Sequence, residues 1–246
     1  MIRTLTALLT AIFWGAWPGP ALGAGPDGCS TCHATAPETR TTAHTYADWK
    51  TSVHGKAGIG CQACHGGDAS ASVKAAAHQG MRPSKDSASV VYFTRIPETC
   101  GACHAAEYSA FRKSRHAAEL SRTGKGPNCV TCHGSMASRV IEARDMEMTC
   151  TLCHRKPTKA YAARVAVEEA RGALHKFDER LVKARVAGTI DLKIYDASYK
   201  ELLARYQALQ VAWHSFDMAR IQEQAKDIAR KTAASHTELT LRDRRP

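Results

Sequence analysis

The chain has no cysteine to spare. All ten of its cysteines fall inside five short motifs, so no thiol is left over for a long-range disulfide framework or an isolated nucleophile. Large side chains are scarce too, since aromatics make up only 7% of the residues and much of the 44% apolar fraction is alanine. Beyond the N-terminus no segment is apolar over the roughly 20 residues that a bilayer-spanning helix needs. Acidic residues are outnumbered as well, 23 against 34 Lys and Arg, for a formal net charge of +11.

What is there, five times over, is Cys-x-x-Cys-His. The copies are Cys29/Cys32/His33, Cys61/Cys64/His65, Cys100/Cys103/His104, Cys129/Cys132/His133 and Cys150/Cys153/His154. A lone CxxC suits a zinc knuckle or a dithiol redox pair, but neither chemistry needs a histidine directly after the second cysteine. Attachment of haem c needs both, because two thiols form thioethers to the porphyrin and the adjacent histidine reaches the iron. The motifs therefore predict five covalently attached haems, with His33, His65, His104, His133 and His154 as proximal ligands.

The N-terminus predicts export. Arg3 supplies a positive charge, residues 5–17 form a nearly uncharged apolar run, and residues 18–24 end in small side chains. The pattern reads as a signal peptide over 1–23, cleaved near Gly23 or Ala24, and predicts a periplasmic protein. About 220 residues would then remain for five haems, too little polypeptide to build a conventional core around each porphyrin. The porphyrins themselves must serve as core. Their roughly ten propionates offset most of the positive charge, so the basic balance does not predict nucleic-acid binding.

An internal repeat adds to the motifs. Tyr46-Ala-Asp-Trp49-Lys-Thr-Ser52-Val-His54 and Tyr108-Ser-Ala-Phe111-Arg-Lys-Ser114-Arg-His116 share the pattern Tyr-x-x-aromatic-x-x-Ser-x-His. Each lies between one CxxCH and a second that continues into glycine, Gly66 or Gly134. The unit reads as a dihaem module used twice. Its Tyr and aromatic lie on one helical face, and its histidine is expected at the end of that short helix, pointing to a neighbouring iron.

These residues, over about 29–155, resemble the multihaem cytochromes grouped with hydroxylamine oxidoreductase, its tetrahaem electron acceptor and octahaem tetrathionate reductase. The resemblance implies that His54 and His116 are distal haem ligands. Setting aside the proximal five leaves seven of the twelve histidines. His44, ahead of the first repeat helix, and His78, in the loop between modules, are further candidate ligands.

From about residue 158 the motifs stop and a long helical hairpin is predicted. Its first helix runs to near Arg185, and the second from about Leu192 to near Ala234. Leu174, Phe177 and Leu181 mark one apolar stripe; Leu202, Tyr206, Leu209, Trp213 and Phe216 mark its partner at helical spacing. His175 lies beside Leu174 and is either a packed core histidine or a ligand sent back to the haem region; it is carried forward as a candidate ligand. His214 and His236 read as structural or exposed. Trp213-His-Ser-Phe-Asp217 is also loosely similar to a stretch of the pentahaem ammonia-forming nitrite reductases. Those enzymes carry a CxxCK motif for the catalytic haem, and this chain has none.

The chain is thus expected to be mostly α, with a signal peptide (1–23), a haem-nucleated pentahaem region (24–157) and a helical hairpin and tail (158–246). The expected function is electron transfer by a non-enzymatic cytochrome. Its expected partners are other multihaem cytochromes or oxidoreductases, or a membrane quinol dehydrogenase, with the hairpin either docking on the haem region or forming a homodimer. The competing expectation is a reductase of nitrite, hydroxylamine or a sulfur oxyanion at one open haem.

Overall fold

In the computed structural model the described residues are 28–35, 44–136, 141–188 and 190–243. The expected signal peptide and its cleavage site lie outside them. Among the described residues the secondary structure is entirely helical, as the sequence predicts.

The first region is built from short helices: α1 (Gly28–His33), α2 (Tyr46–Thr51), α3 (Val53–Lys56), α4 (Gln62–His65), α5 (Lys74–Ala77), α6 (Ile96–Gly101), α7 (Ala105–Arg112), α8 (Arg115–Thr123), α9 (Cys129–His133) and α10 (Ala143–Cys150). The spacing of the motif explains why each CxxCH folds as one helical turn. Cysteines at i and i+3 and histidine at i+4 share a face, so two thiols and an imidazole converge. The turn is closed by the histidine N–H donating to the first cysteine's carbonyl, at 2.9 Å for His65, His104 and His154 alike.

The serine of the repeat has a specific job. Ser52 and Ser114, both 4% exposed, stop one helix and N-cap the next, accepting from Gly55 N at 3.0 Å and Ala117 N at 3.1 Å. His54 and His116 are consequently the second residues of new helices, α3 and α8, rather than the last residues of α2 and α7 as expected. The glycine after the second motif of each module also follows from backbone geometry. Gly66 and Gly134 take φ of +75° and +73°, which lets the chain leave the haem-motif helix in a direction that side-chain-bearing residues resist.

The second region holds three long helices where the sequence predicts two. They are α11 (Thr158–Ala187), α12 (Lys193–Ala212) and α13 (Met218–Arg242). Ala163, Val167, Ala170 and Leu174 of α11 pack with Leu202, Tyr206 and Leu209 of α12 and with Ile221, Ala225 and Ile228 of α13. Farther along, Phe177, Leu181 and Ala184 pack with Leu192, Tyr195 and Leu239. These pairings make α13 parallel to α11 and antiparallel to α12. Burying each of the large residues stabilises the bundle by about 1.5–3 kcal/mol, and the small Ala positions let the helices approach.

The break in the expected second helix lies at residues 213–217. Trp213–Ser215 tightens into a 3-10 turn, and Ser215 Oγ donates to Ala212 O at 2.7 Å. Phe216 then takes a left-handed φ of +57°, and Asp217 Oδ1 accepts from Arg220 N at 3.3 Å to cap α13. This elbow points the end of the bundle at the haem-motif region, where the turn packs against α7. The apolar face is thus partly covered from within the chain. Among the described residues no helix is long and apolar enough to cross a membrane.

Candidate haem sites

All five CxxCH histidines meet another histidine. Ring centroids are 6.1 Å apart for His33 and His78, 5.7 Å for His44 and His65, and 6.1 Å for His54 and His104. They are 5.9 Å apart for His116 and His154 and 6.1 Å for His133 and His214. No histidine occurs in two of these pairs.

The separation is informative because it exceeds the 4.5 Å or so of closest aromatic contact, while hydrogen-bonded imidazoles would meet nitrogen to nitrogen. With metal–imidazole bonds of about 2 Å and ring nitrogens roughly 1 Å from their centroids, two imidazoles trans on one metal lie roughly 6 Å apart. Interplanar angles from 28° to 68° are compatible with this, since each ring can turn about its own metal–nitrogen bond.

Hydrogen bonds to the histidine rings point the same way. Nδ1–H of His78 donates to Lys74 O at 2.8 Å, and that of His214 to Val211 O at 3.2 Å. Such bonds set the tautomer and leave Nε2 as the basic nitrogen, a common arrangement around metal-binding histidines. The Nδ1 atoms of His44 and His116 are buried without a hydrogen-bond partner. Burial holds His44, His65, His116 and His214 below the ordinary histidine range, which favours the neutral form that binds metal. Among the described residues no group of three or more His, Cys, Asp and Glu gathers as a bare metal ion would require. The residues fit haem, two imidazoles and two thiols at a time.

The cysteines fall into place beside them. No disulfide joins any of the ten. The Cys64 thiol is pushed up by burial and then by Cys100 and Cys103, and Cys100 is hydrogen-bonded to Cys129. Cys132 is pushed up to about 11 by burial and then by Cys150 and Cys153. At the other end Gly28 N donates to Ala69 O at 2.8 Å, which sets the first motif against the loop that follows the second. His65 also senses His33 electrostatically. Consecutive motifs are therefore neighbours in space, in chain order from Cys29 to Cys153.

The two thiols of a motif are not equally sheltered. Cys32, Cys103 and Cys153, the second cysteines of the first, third and fifth motifs, are exposed, whereas Cys29, Cys61, Cys64, Cys100, Cys129, Cys132 and Cys150 are half-buried. For Cys32 in particular the described residues alone do not provide shelter. The physical reason is local. Cys32 lies in the last turn of α1, a six-residue helix without a buried residue. Such a thiol is open to reaction with a porphyrin vinyl, and once bonded it would be covered by the porphyrin rather than by protein.

Two histidines sit differently from expectation. His175 projects from α11 with its side chain 72% exposed, and its Nε2 lies 3.4 Å from Glu179. It is not brought to any CxxCH histidine, because its position faces away from the stripe of Leu174 and Phe177. The place opposite His133 is taken by His214, on the elbow. One signal for this was present: Ser215 and Asp217 are capping residues, and a capping cluster inside an apolar helical pattern marks a turn. A second contact that sequence reasoning did not find joins the bundle to the last motif. Glu168 of α11 accepts from Ala143 N at 2.7 Å at the start of α10, the helix that ends in Cys150, and pairs with the buried Arg164 at 3.2 Å.

No protein-family model matches the chain, and no solved structure does. It is 30% identical over 127 residues to the C-type polyheme cytochrome OmcB of two strains of Geobacter sulfurreducens. That match covers 48% of this chain and 15% of the relative, so the chain spans a small part of the curated proteins it matches. The likeness supports a multihaem cytochrome c with covalently bound haem. It does not single out the group around hydroxylamine oxidoreductase.

Proposed function

We propose that the protein is a pentahaem electron carrier in which every iron has two histidine ligands. The observation that carries this reading is the one-to-one pairing of the five motif histidines with five others. The ligand pairs are His33 with His78, His65 with His44, His104 with His54, His133 with His214 and His154 with His116. Haem c supplies a one-electron ferric/ferrous couple. The chain's own residues hold ten thioether positions, fix each imidazole and keep the sites close enough to pass electrons in chain order. Two histidines held at every haem would leave no site for a substrate, which favours the carrier over a reductase of nitrite, hydroxylamine or a sulfur oxyanion.

Export to the periplasm, membership in the group around hydroxylamine oxidoreductase, and exchange with multihaem partners or a membrane quinol dehydrogenase complete the reading. The signal-peptide pattern, the Ser-x-His repeat and the chain of neighbouring motifs support them. A haem-nucleated unit ending near residue 157 and a separate bundle remain the proposed division.

The test is the spin state of the irons together with the mass of the exported protein. Five haem additions and wholly low-spin irons that bind neither cyanide nor carbon monoxide are expected. His214→Ala should make one haem high spin and open to carbon monoxide, whereas His175→Ala should change neither property. A high-spin haem in the unmodified protein, with catalytic current on adding nitrite or hydroxylamine, would overturn the carrier reading.

A further inference from the structure

Phe216 is unusual twice over. Among the described residues it is the non-glycine residue with positive φ, and its ring lies against His116 with centroids 4.2 Å apart at 75°, edge to face. A left-handed phenylalanine persists only where its surroundings over-determine it. Here they do: its N–H donates to Trp213 O at 3.0 Å, Ser215 Oγ donates to Ala212 O, and Asp217 caps the next helix. Trp213 itself is anchored in the bundle core, with the Arg164 guanidinium 5.8 Å from its ring centre.

The target of that ring is a histidine that no hydrogen bond from Nδ1 holds in place. His78 and His214 are each tethered by an Nδ1–H bond to a backbone carbonyl, but the buried Nδ1 of His116 makes no hydrogen bond. His116 lies with Phe216 at 4.2 Å and His154 at 5.9 Å. Two residues before Phe216 on the same elbow, His214 faces His133.

We infer that Phe216 is a positioning residue that orients His116 as the distal ligand of the His154 haem, substituting an edge-to-face contact for the missing hydrogen bond. The inference rests on the ligation reading for His116. It makes the elbow a single device serving two neighbouring haems, one through a ligand of its own and the other through an aromatic brace. It also assigns the strained backbone a purpose, because an unstrained α12 carried straight through would not turn this ring back.

The test uses the full-length haem-loaded protein and the paramagnetic resonance signals of its low-spin irons. Phe216→Leu, which keeps apolar bulk without the ring, and Phe216→Gly, which accepts the positive φ, should each shift the signal of one haem. The same haem should gain carbon monoxide binding, with helix content retained. It should be the haem that responds to His116→Ala and not the one that responds to His214→Ala. Phe216→Tyr should preserve the original signals, and it must do so even if the leucine variant loses haem. Unchanged signals in both the Leu and Gly variants, or a shift confined to the His133 haem, would overturn the assignment. If His116→Ala itself left every iron low spin, the ligation reading would fail on its own, whatever Phe216 does.

Discussion

The two regions of this chain solve the problem of a core in opposite ways. Between residues 28 and 150 the helices run from four to nine residues, and their large buried apolar side chains are few, Phe111, Leu120 and Met146 among them. From residue 158 the helices are 30, 20 and 25 residues long and share contiguous clusters of fully buried side chains. Isolated helices of one or two turns are not stable in water, and caps recover only part of the deficit. The first region therefore depends on prosthetic groups for what the second obtains from Leu, Ile and Phe. The difference teaches that low apolar content in a chain of this kind marks where the cofactor sits.

The sharpest way to break this comparison is to withhold haem. Chain produced without haem attachment should lose the structure of residues 28–157 while the bundle stays helical, because ligand binding and folding are one process in the first region only. Limited proteolysis and circular dichroism would check it, and a protease-resistant first region would refute the contrast. Within the bundle, Phe177→Ala, at a fully buried position, should cost about 3–5 kcal/mol and lower the bundle's melting temperature without changing the haem spectrum. Ser114→Ala, which removes the cap of α8, should cost about 1 kcal/mol and fall on the haem-motif side, with a visible change at the haem served by His116.

The smallest effect expected is one of pH. Asp227 is held well below the ordinary carboxylate range, first by Arg205 of α12 and then by Lys231 and Arg230 of its own helix. Its folded pKa is depressed, so the stability it contributes is present above the unfolded pKa of about 4 and is lost as pH falls below it. Asp227→Asn should flatten the acid limb of bundle stability by lowering the neutral value towards the acid one, a small effect because water still screens the half-buried carboxylate. Thermal melts from pH 2 to 7 would show this.

Much of this contrast was legible from residue types alone. The motifs declare the haem sites because their spacing is dictated by one helical turn, and the stripes on α11 and α12 declare a packed bundle. How well each motif is sheltered was not legible, since Cys32 and Cys64 occupy the same place in the same pattern and differ only in what the fold brings over them. The elbow was harder still to see. Trp213 and Phe216 continue the apolar spacing of Leu202, Tyr206 and Leu209, so periodicity argued for an unbroken helix past residue 217. The competing signal, Ser215 with Asp217, is short-range and wins only because the turn is also fastened to α7 and His116. For the same reason His214 read as structural and His175, beside Leu174, as a ligand. Chain position does not reveal which histidine a break in a helix will redirect. The Ser-x-His element was half legible: recurrence marked the histidine, while the capping role of the serine needed coordinates.

The direction in which partners are supplied along the chain has a consequence for how the protein is made. His65, His104 and His154 each find a proposed partner that precedes them, in His44, His54 and His116. His33 must wait for His78, and His133 for His214, beyond the whole of α11 and α12. If the chain emerges from its N-terminus, the proposed pairing would let three haems gain both histidines as soon as they are joined. On the proposed pairing, a haem at His133 would lack its second histidine until α11 and α12 had emerged. A chain truncated after residue 157 would be locked at that stage, with one haem that small diatomic ligands would reach.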